Sequence, residues 1–234
     1  MLLNVQNLSV HYDGMQALSN VSLNVKQGEI VSILGSNGAG KTTFMNAISG
    51  LLKLTSGMIE FEGNSVLNIP AYDRVPLGIV QIPEGRRLFP LMTVEENLLL
   101  GSTHPAARKV RQESLDEVYE LLPRLRERRT QIAKTLSGGE QQMLSVARTL
   151  MGNPYLVLLD EPAEGLAPVL VEQMAHMIRA LKKQGVSILL SEQNLHFANL
   201  VCDRAYVIEK GQINYAGSIR SLIDNQAARV RNNQ

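Results

Sequence analysis

The residues with the clearest chemical potential form a glycine-rich loop that ends in lysine and threonine. The loop fits the pattern G-x-x-x-x-G-K-[ST], and it lies between an apolar segment at residues 30–34 and a segment at residues 42–49 that is expected to begin a helix. Glycines let such a loop curl so that its backbone N–H groups face the phosphates of a nucleotide, and the following helix N-terminus adds positive potential. We therefore predict a phosphate loop that consists of Gly35, Ser36, Asn37, Gly38, Ala39, Gly40, Lys41 and Thr42.

Three side chains at the end of the phosphate loop are candidates for direct contacts with the nucleotide. Lys41 is expected to reach the β- and γ-phosphates, and the hydroxyl of Thr42 is expected to bind Mg²⁺. We count Thr43, the next residue of the helix, among the nucleotide-binding residues. The alternative is a glycine-rich turn that binds nothing, but the strand before it and the helix after it favour a nucleotide site.

Two adjacent carboxylates, Asp160 and Glu161, follow a second apolar segment at residues 155–159. Such a segment is typical of a buried parallel strand, and ligands of open α/β sheets bind at the carboxyl ends of the strands. Asp160 is expected to hold Mg²⁺, and Glu161 is placed to polarise a water for attack on the γ-phosphate. A pair of acids without any ligand is the alternative, but unpaired carboxylates beside a buried strand are costly.

A second candidate anion site lies at residues 136–142, Leu-Ser-Gly-Gly-Glu-Gln-Gln. Its serine and glutamate form a capping box, which predicts a helix that runs to Met151. The two glycines leave the N–H groups of the helix start accessible to an anion. A capped helix with a glycine turn explains the same residues without a ligand, so both interpretations stay open at this point. The residues concerned are Ser137, Gly138, Gly139 and Glu140.

Two other features also have alternative interpretations. Tyr12 lies on a turn, where an aromatic ring can stack on a purine base or remain an ordinary surface side chain. Residues 123–129 carry a concentrated basic run. The run fits a solvated helix surface, and it also fits a positive surface that lies near anionic lipid or a nucleic acid.

Composition excludes several classes of protein. The net charge is +1 for 234 residues, so no global field points to a nucleic-acid partner. No apolar run reaches the length of a membrane span, and the first residues lack the features of a signal peptide. One cysteine, Cys202, allows no internal disulfide, and its apolar neighbours indicate inert packing. We expect a cytosolic chain whose membrane contacts come through a partner.

The pattern along the chain predicts a single α/β domain. Residues 3–10 and 21–25 alternate between apolar and polar, which indicates an antiparallel β layer at the N-terminus. Further apolar strands are expected at residues 77–82 and 187–190. Helical segments, including one over 108–122, make residues 86–151 an insertion in a core formed by about 1–85 and 152–234. A last short helix is expected at 218–224, followed by a frayed polar tail.

This order of motifs resembles the ATPase subunits of ABC transporters over about residues 3–223. The resemblance implies a P-loop NTPase (RecA-like) core and ATP with Mg²⁺ as ligands. It also implies a dimer in which each ATP lies between residues 35–42 of one subunit and residues 137–140 of the other. That arrangement gives the second anion site its partner. Tyr12 falls where the family places the aromatic residue that stacks on adenine.

Three positions depart from the usual pattern of that family. Glu84 stands where most members have a glutamine, and Gln81 is three residues too early to replace it. Glu84 can bind Mg²⁺ or water as an acceptor, and it adds a negative charge where glutamine is neutral. Ala167 stands where an aspartate is usual. Gln193 stands where a histidine normally touches the γ-phosphate, and a glutamine can still donate a hydrogen bond there but cannot carry a charge.

Together, these substituted segments resemble one subgroup, the second ATPase subunit of bacterial branched-chain amino acid importers. The resemblance implies a second ABC ATPase subunit, permease subunits in the membrane and, indirectly, a periplasmic binding protein as partners, with no nucleic acid. It places the chain at the cytoplasmic face of the inner membrane. Relatives in this subgroup serve urea, amides and other small solutes. The alternative function is a soluble ABC-type ATPase that acts on nucleic acid or ribosomes.

Overall fold

The computed structural model describes residues 1–12, 14–85 and 87–232, with side chains as far as residue 225. The first part of the chain supplies strands and two helices. In order they are β1 (Leu3–Tyr12), β2 (Met15–Val25), β3 (Ile30–Leu34), α1 (Lys41–Ile48), β4 (Ser56–Phe61), β5 (Asn64–Ser65), α2 (Ala71–Arg74) and β6 (Ile79–Ile82).

The middle of the chain is helical in its described part. It contains α3 (Val94–Leu100), α4 (Pro105–Lys109), α5 (Arg111–Leu121), α6 (Pro123–Glu127), a 3₁₀ turn (Ala133–Thr135) and α7 (Gly138–Leu150). Strands and helices then alternate as β7 (Leu156–Asp160), α8 (Pro168–Lys183), β8 (Ser187–Glu192), α9 (Leu195–Val201), β9 (Arg204–Glu209), β10 (Gln212–Ser218) and α10 (Ile219–Asn232). Within these residues, no helix has the length and apolar character that crossing a bilayer requires.

The N-terminal sheet is antiparallel, with the strand order β2-β1-β4-β5 among the described residues. Its central strand is β1, in which Leu3 pairs with Val25 on one side and with Phe61 on the other. One face of β1 and β2 packs on the core, which explains why apolar residues recur at every second position. The predicted antiparallel β layer is confirmed.

The second sheet positions the chemistry. Its order is β10-β9-β3-β8-β7-β6 in the part of the chain described, and all neighbours pair in parallel except β10 with β9. Every residue of β3, β7 and β8 is buried, as their near-continuous apolar runs predict. Because parallel strands end at one edge, the segments that follow β3, β6, β7 and β8 meet there.

Three apolar clusters stabilise this arrangement. Successive residues of β3 point to opposite faces, so Val31 packs with α1 and the N-terminal sheet, whereas Ile30 packs with α8 and α9. Cys202 lies in the second cluster, as expected for inert packing. The third cluster belongs mostly to the helical segment between α3 and α7.

Three helices differ from the sequence-based expectation. The helix expected over 108–122 is divided at Val110 into α4 and α5, and α5 ends before Pro123, because proline disfavours helical backbone at the preceding residue. The prediction that the last helix ends at 224 and is followed by a frayed tail is wrong as far as residue 232, since α10 continues to that point. No element was expected over the residues of α8, although the amphipathic face of this helix covers the parallel sheet.

Candidate functional site

A cleft of about 360 Å³ opens at the carboxyl edge of the parallel sheet, over the N-terminus of α1. The phosphate loop forms one wall, and residues of β2 and of the β9–β10 turn form the opposite one. The lining residues are Gln16, Ala17, Asn37, Gly38, Gly40, Lys41, Thr42, Thr43, Glu84, Glu161, Lys210 and Gly211.

Close packing explains two glycines of the phosphate loop. A Cβ atom on Gly35 would lie 2.5 Å from the carbonyl oxygen of Ile208, which β9 holds in place. Gly40 begins α1 with φ +109°, and a Cβ atom there would lie 2.7 Å from Leu18. Only glycine adopts this backbone without strain and without a clash. The loop therefore curls tightly against β2 and β9, with its N–H groups available at the start of α1.

The buried ammonium group of Lys41 places a positive charge in the cleft. It donates hydrogen bonds to the carbonyl oxygens of Gly35 and Ser36, at 2.8 and 3.0 Å, so the side chain curls back over its own loop. The same nitrogen lies 3.0 Å from a carboxylate oxygen of Glu161. A cation held in this way, beside the N–H groups of a helix start, can bind a polyphosphate.

Asp160 presents an unpaired oxygen at the same edge. The hydroxyl of Ser191 donates to its Oδ1, whereas its Oδ2 is buried without a hydrogen-bond partner in the described structure. A buried carboxylate oxygen without a partner is costly. A hard cation such as Mg²⁺ removes that cost, and the hydroxyl of Thr42 on the cleft wall is a suitable second oxygen ligand. Asp160 and Thr42 therefore fit Mg²⁺.

No group of three or more histidine, cysteine, aspartate or glutamate side chains among the described residues could hold a metal ion by itself. Mg²⁺ commonly binds with one or two protein ligands plus phosphates and water. Glu84 lines the cleft, whereas Gln81 lies within β6 and donates to the side chain of Asn46 at 2.9 Å. Glu84 thus has access to the cleft that Gln81 lacks.

The side-chain amide of Gln193 joins two walls of the site. Its nitrogen donates to a carboxylate oxygen of Glu161 at 2.8 Å and to the side-chain oxygen of Asn37 at 2.7 Å. Glu161 has φ +47°, a left-handed conformation that is uncommon outside glycine, and its N–H donates to Ser191. Strained backbone of this kind is concentrated at functional sites. The three side chains form a bridge from the phosphate loop to β7 and β8.

Two residues of β8 at this site were missed in the sequence analysis, which ended the strand at Leu190. The strand continues through Ser191 and Glu192, both buried. Burial raises the pKa of Glu192 to about 7, against the effect of three backbone N–H groups that donate to its carboxylate. A polar pair that directly follows an apolar strand and precedes Gln193 was the available signal.

The second anion site is separate from the cleft. Ser137 and Glu140 form the predicted capping box at the start of α7: the serine oxygen accepts from the Glu140 N–H at 3.3 Å, and the Glu140 carboxylate accepts from the Ser137 N–H at 2.9 Å. Partial burial acts to raise the pKa of Glu140, but the capping bonds from Ser137 and the charge of Arg128, 3.2 Å away, together lower it. Ser137 and Glu140 line another cleft, which lies beside α8. Gly138 and Gly139 lie between these two residues in the sequence.

Tyr12 and Ala167 lie outside the lining of the phosphate cleft. The Tyr12 side chain is 41% exposed at the end of β1 and is not among the residues that line the phosphate cleft, although Gln16 and Ala17 of the same hairpin are. Ala167 is the exposed residue before α8, and Pro168 is the first residue of that helix. Neither residue touches the bridge between Glu161 and Gln193 in the contacts described above.

The family model of ABC transporters matches residues 18–164, more than half of the chain. The chain belongs to the ABC transporter family. Membership confirms the resemblance drawn from the phosphate loop and residues 136–142, and this ABC chain is accordingly an ATPase subunit with a P-loop NTPase fold.

Curated relatives of this ABC chain extend over almost its whole length. The high-affinity branched-chain amino acid transport ATP-binding protein BraG of Pseudomonas aeruginosa is 43% identical and covers 97% of both chains. The probable branched-chain amino acid transport ATP-binding protein LivG of Archaeoglobus fulgidus is 35% identical, over 96% of this chain and 92% of its own. The lipopolysaccharide export system ATP-binding protein LptB of Haemophilus influenzae is 34% identical, over 98% and 96%.

Solved structures of ABC cassettes share the fold. A nucleotide-free ATP-binding cassette from an ABC transporter is 30% identical, with a TM-score of 0.84 and coverage of 96% of this chain and 94% of that one. The ADP conformation of the cassette MJ1267 is 29% identical, with a TM-score of 0.83 and coverage of 100% and 99%. The expected α/β P-loop architecture is therefore confirmed.

Proposed function

We propose that this chain hydrolyses ATP to drive the import of branched-chain or related amino acids through a membrane ABC transporter. The names of the relatives from Pseudomonas aeruginosa and Archaeoglobus fulgidus both refer to branched-chain amino acid transport, and the first is the most similar of those described above. Family membership favours a transporter subunit over a soluble ABC-type ATPase that acts on nucleic acid or ribosomes.

The observation that carries the catalytic assignment is the contact of Glu161 with Lys41 on one side and with Gln193 on the other. The lysine and the N–H groups of the phosphate loop bind and orient the phosphates of ATP. Phosphates that attract Lys41 release Glu161 from the ion pair, and the free carboxylate can then accept the proton of an attacking water. Gln193 orients that carboxylate with one N–H, and its second N–H, which Asn37 accepts in this structure, can turn to the γ-phosphate when ATP binds.

Mg²⁺ fits oxygen atoms of Thr42, which lines the cleft, and of Asp160, which ends β7 but is not among the lining residues. Thr42 and Asp160 would hold the ion, with Glu84 close enough to the cleft to bind it or a water. When bound, Mg²⁺ neutralises part of the charge on the phosphates and keeps them aligned. Asp160 keeps its orientation because Ser191 donates to its other oxygen.

A second subunit completes the site in this proposal. Ser137, Gly138, Gly139 and Glu140 lie at the start of α7, where Ser137 and Glu140 line a cleft other than the phosphate cleft of their own chain. They can thus serve the γ-phosphate of a partner ABC ATPase, while Tyr12 stacks on adenine. The ATPase domain spans residues 1–234, with the helical insertion at about 86–151. Permease subunits hold it at the cytoplasmic face of the inner membrane, and a periplasmic binding protein delivers the solute.

Reconstitution tests this function. The chain is purified with its permease subunits and the second ATPase, and the complex is placed in vesicles with the matching binding protein. ATP-dependent uptake of labelled leucine is expected, with Glu161→Gln as the inactive control because an amide cannot accept the proton. Uptake of urea without leucine would overturn the amino acid assignment, and ATP hydrolysis without any solute uptake would overturn the transport role.

A further inference from the structure

The carboxylate of Glu192 connects two loops of the site. Glu192 is the last residue of β8 and is 3% exposed. Its Oε1 accepts a hydrogen bond from the N–H of Ala163 at 3.3 Å, and its Oε2 accepts from the N–H groups of Gln193 and Asn194 at 3.2 and 3.3 Å. Each oxygen therefore serves a different segment of backbone, one after β7 and one after β8.

These two segments carry the side chains that meet over the cleft. Ala163 lies two residues after Glu161, and Gln193 is itself one of the residues whose N–H binds Glu192. The side chains of Glu161 and Gln193 are in contact at 2.8 Å. The geometry of that contact depends on the spacing of the two backbones from which the side chains extend.

On the proposed ATPase function, we propose that Glu192 is a positioning residue for hydrolysis. Its two oxygens fix the segment after β7 against the segment after β8, so that Glu161 and Gln193 meet in one geometry at the γ-phosphate. Glu192 is not among the residues that line the phosphate cleft, and in this proposal it acts through the two residues that it orients.

The chemistry of the carboxylate explains why glutamate is suited to this task. A carboxylate has two acceptor oxygens, whereas the amide of glutamine has one acceptor and one donor. Glutamine can satisfy one of the two segments, but its NH₂ group must then face the N–H of the other. Burying a carboxylate costs free energy. Its hydrogen bonds offset part of that cost, and they also fix the spacing of the two backbone segments.

The test compares Glu192→Gln with wild type in ATP hydrolysis by the full chain assembled with its partners. We expect kcat to fall roughly 10- to 100-fold, since a displacement of about 1 Å in a catalytic group can cause such losses. The KM for ATP should stay within about threefold, because the phosphate loop is unchanged. Glu192→Asp retains both acceptor oxygens and should recover part of the lost kcat.

Asp203→Asn is the matched control. Asp203 also uses its two oxygens on different partners, the N–H of Ile30 at 2.9 Å and the ammonium of Lys182 at 2.6 Å. It lies at the opposite end of the parallel sheet, before β9. This variant should lower the thermal midpoint without lowering kcat at temperatures well below unfolding.

Several outcomes would contradict the positioning role. An unchanged kcat in Glu192→Gln contradicts it, as does an equal loss of kcat in Asp203→Asn. If Glu192→Gln does not fold, Glu192→Asp decides: a folded Glu192→Asp variant with a kcat equal to that of wild type contradicts the role, and a reduced kcat with normal KM supports it. Wild-type protein without ATP hydrolysis in the complex would contradict the proposed function itself, a result that can be told apart from these.

Discussion

Lys41 and Glu161 form a nearly buried ion pair, with the ammonium nitrogen 3.0 Å from the carboxylate oxygen and side chains only 4% and 10% exposed. The lysine that should bind phosphates thus neutralises the carboxylate that should accept a proton. Breaking a buried pair by removing one partner leaves an uncompensated charge. In the ion pair each charge therefore compensates the other, so both groups can stay buried and charged until a polyphosphate competes for the lysine.

Lys41→Ala should weaken ATP binding strongly, because it removes the charge that pairs with the β- and γ-phosphates. It should also lower stability, since Glu161 loses its cation. A titration with a fluorescent ATP analogue measures the first effect, and Lys183→Ala, an exposed lysine at the end of α8 that does not line the cleft, is the control. ATP affinity equal to that of wild type in Lys41→Ala would contradict the assignment of the phosphate loop.

Ser137→Arg should leave ATP binding by the single subunit intact but prevent ATP-dependent dimers and hydrolysis. The long cation fills the start of α7, where the proposal locates the partner's γ-phosphate. Ser137→Ala is the matched control, because it removes the same N-cap bond, worth about 1 kcal/mol, without adding bulk. Dimers are counted by size-exclusion chromatography in a Glu161→Gln background. Wild-type amounts of dimer in Ser137→Arg would overturn the shared site.

Much of the fold could be predicted from sequence because its signals are local. The apolar runs of β3 and β7, the glycines of the phosphate loop and the capping box at Ser137 each depend on neighbouring residues. The length of α10 was not predicted, since its polar composition gives no signal for where a helix ends. Helix α8 was also not predicted, despite its amphipathic pattern.

In the candidate site, too, the residues that belong to local sequence patterns could be predicted, whereas contacts between distant residues could not. Lys41, Asp160 and Glu161 could be proposed from the sequence because each belongs to a pattern with a known geometric requirement. The contacts of Gln193 with Glu161 and Asn37 join residues more than 30 and 150 positions apart, and strand order alone decides that they meet. Glu192 was missed for that reason, because its partner Ala163 lies on another loop.

Arg74 stabilises the helix that carries the phosphate loop. Its buried guanidinium donates to the carbonyl oxygens of Ala47 and Ile48 at the end of α1 and to those of Val66 and Ile69. Arg74→Met leaves these carbonyls without their donor, which should lower the free energy of unfolding by roughly 2–4 kcal/mol. Thermal denaturation should show a midpoint roughly 5–15 °C lower. The exposed Arg126→Met is the control, and equal midpoints for the two variants would contradict this role.

Glu192 should make the stability depend on pH. Burial raises its pKa from an ordinary 4.5 to about 7, with Glu161 as a nearby negative charge and the buried thiol of Cys202 as another titratable neighbour. Between these pH values the folded chain binds more protons than the unfolded chain, so this residue's contribution to stability falls as pH rises. The full effect above pH 7 is on the order of 3 kcal/mol.

Chemical denaturation of wild type and Glu192→Gln at pH 5, 6, 7 and 8 measures this contribution. The free energy of unfolding of wild type, relative to the variant, should decrease across the series. A difference that is constant with pH would show that the carboxyl ionises in the folded chain as it does in water, and one that increases would show a lowered pKa; either result would contradict the raised pKa.

Gln193 offers the most direct test of the bridge over the cleft. Its amide donates to Glu161 at 2.8 Å and to Asn37 at 2.7 Å, and both bonds end in Gln193→Ala. Hydrolysis should then slow by the value of one charge-assisted hydrogen bond, on the order of 1.5–3 kcal/mol in the barrier. Gln193→His should be tolerated, because a histidine side chain can also donate a hydrogen bond there. ATPase activity of both variants in the assembled complex is the measurement. If Gln193→Ala is active and Gln193→His is inactive, the proposed contact of Gln193 with the γ-phosphate is wrong, since only the size of the side chain would then matter.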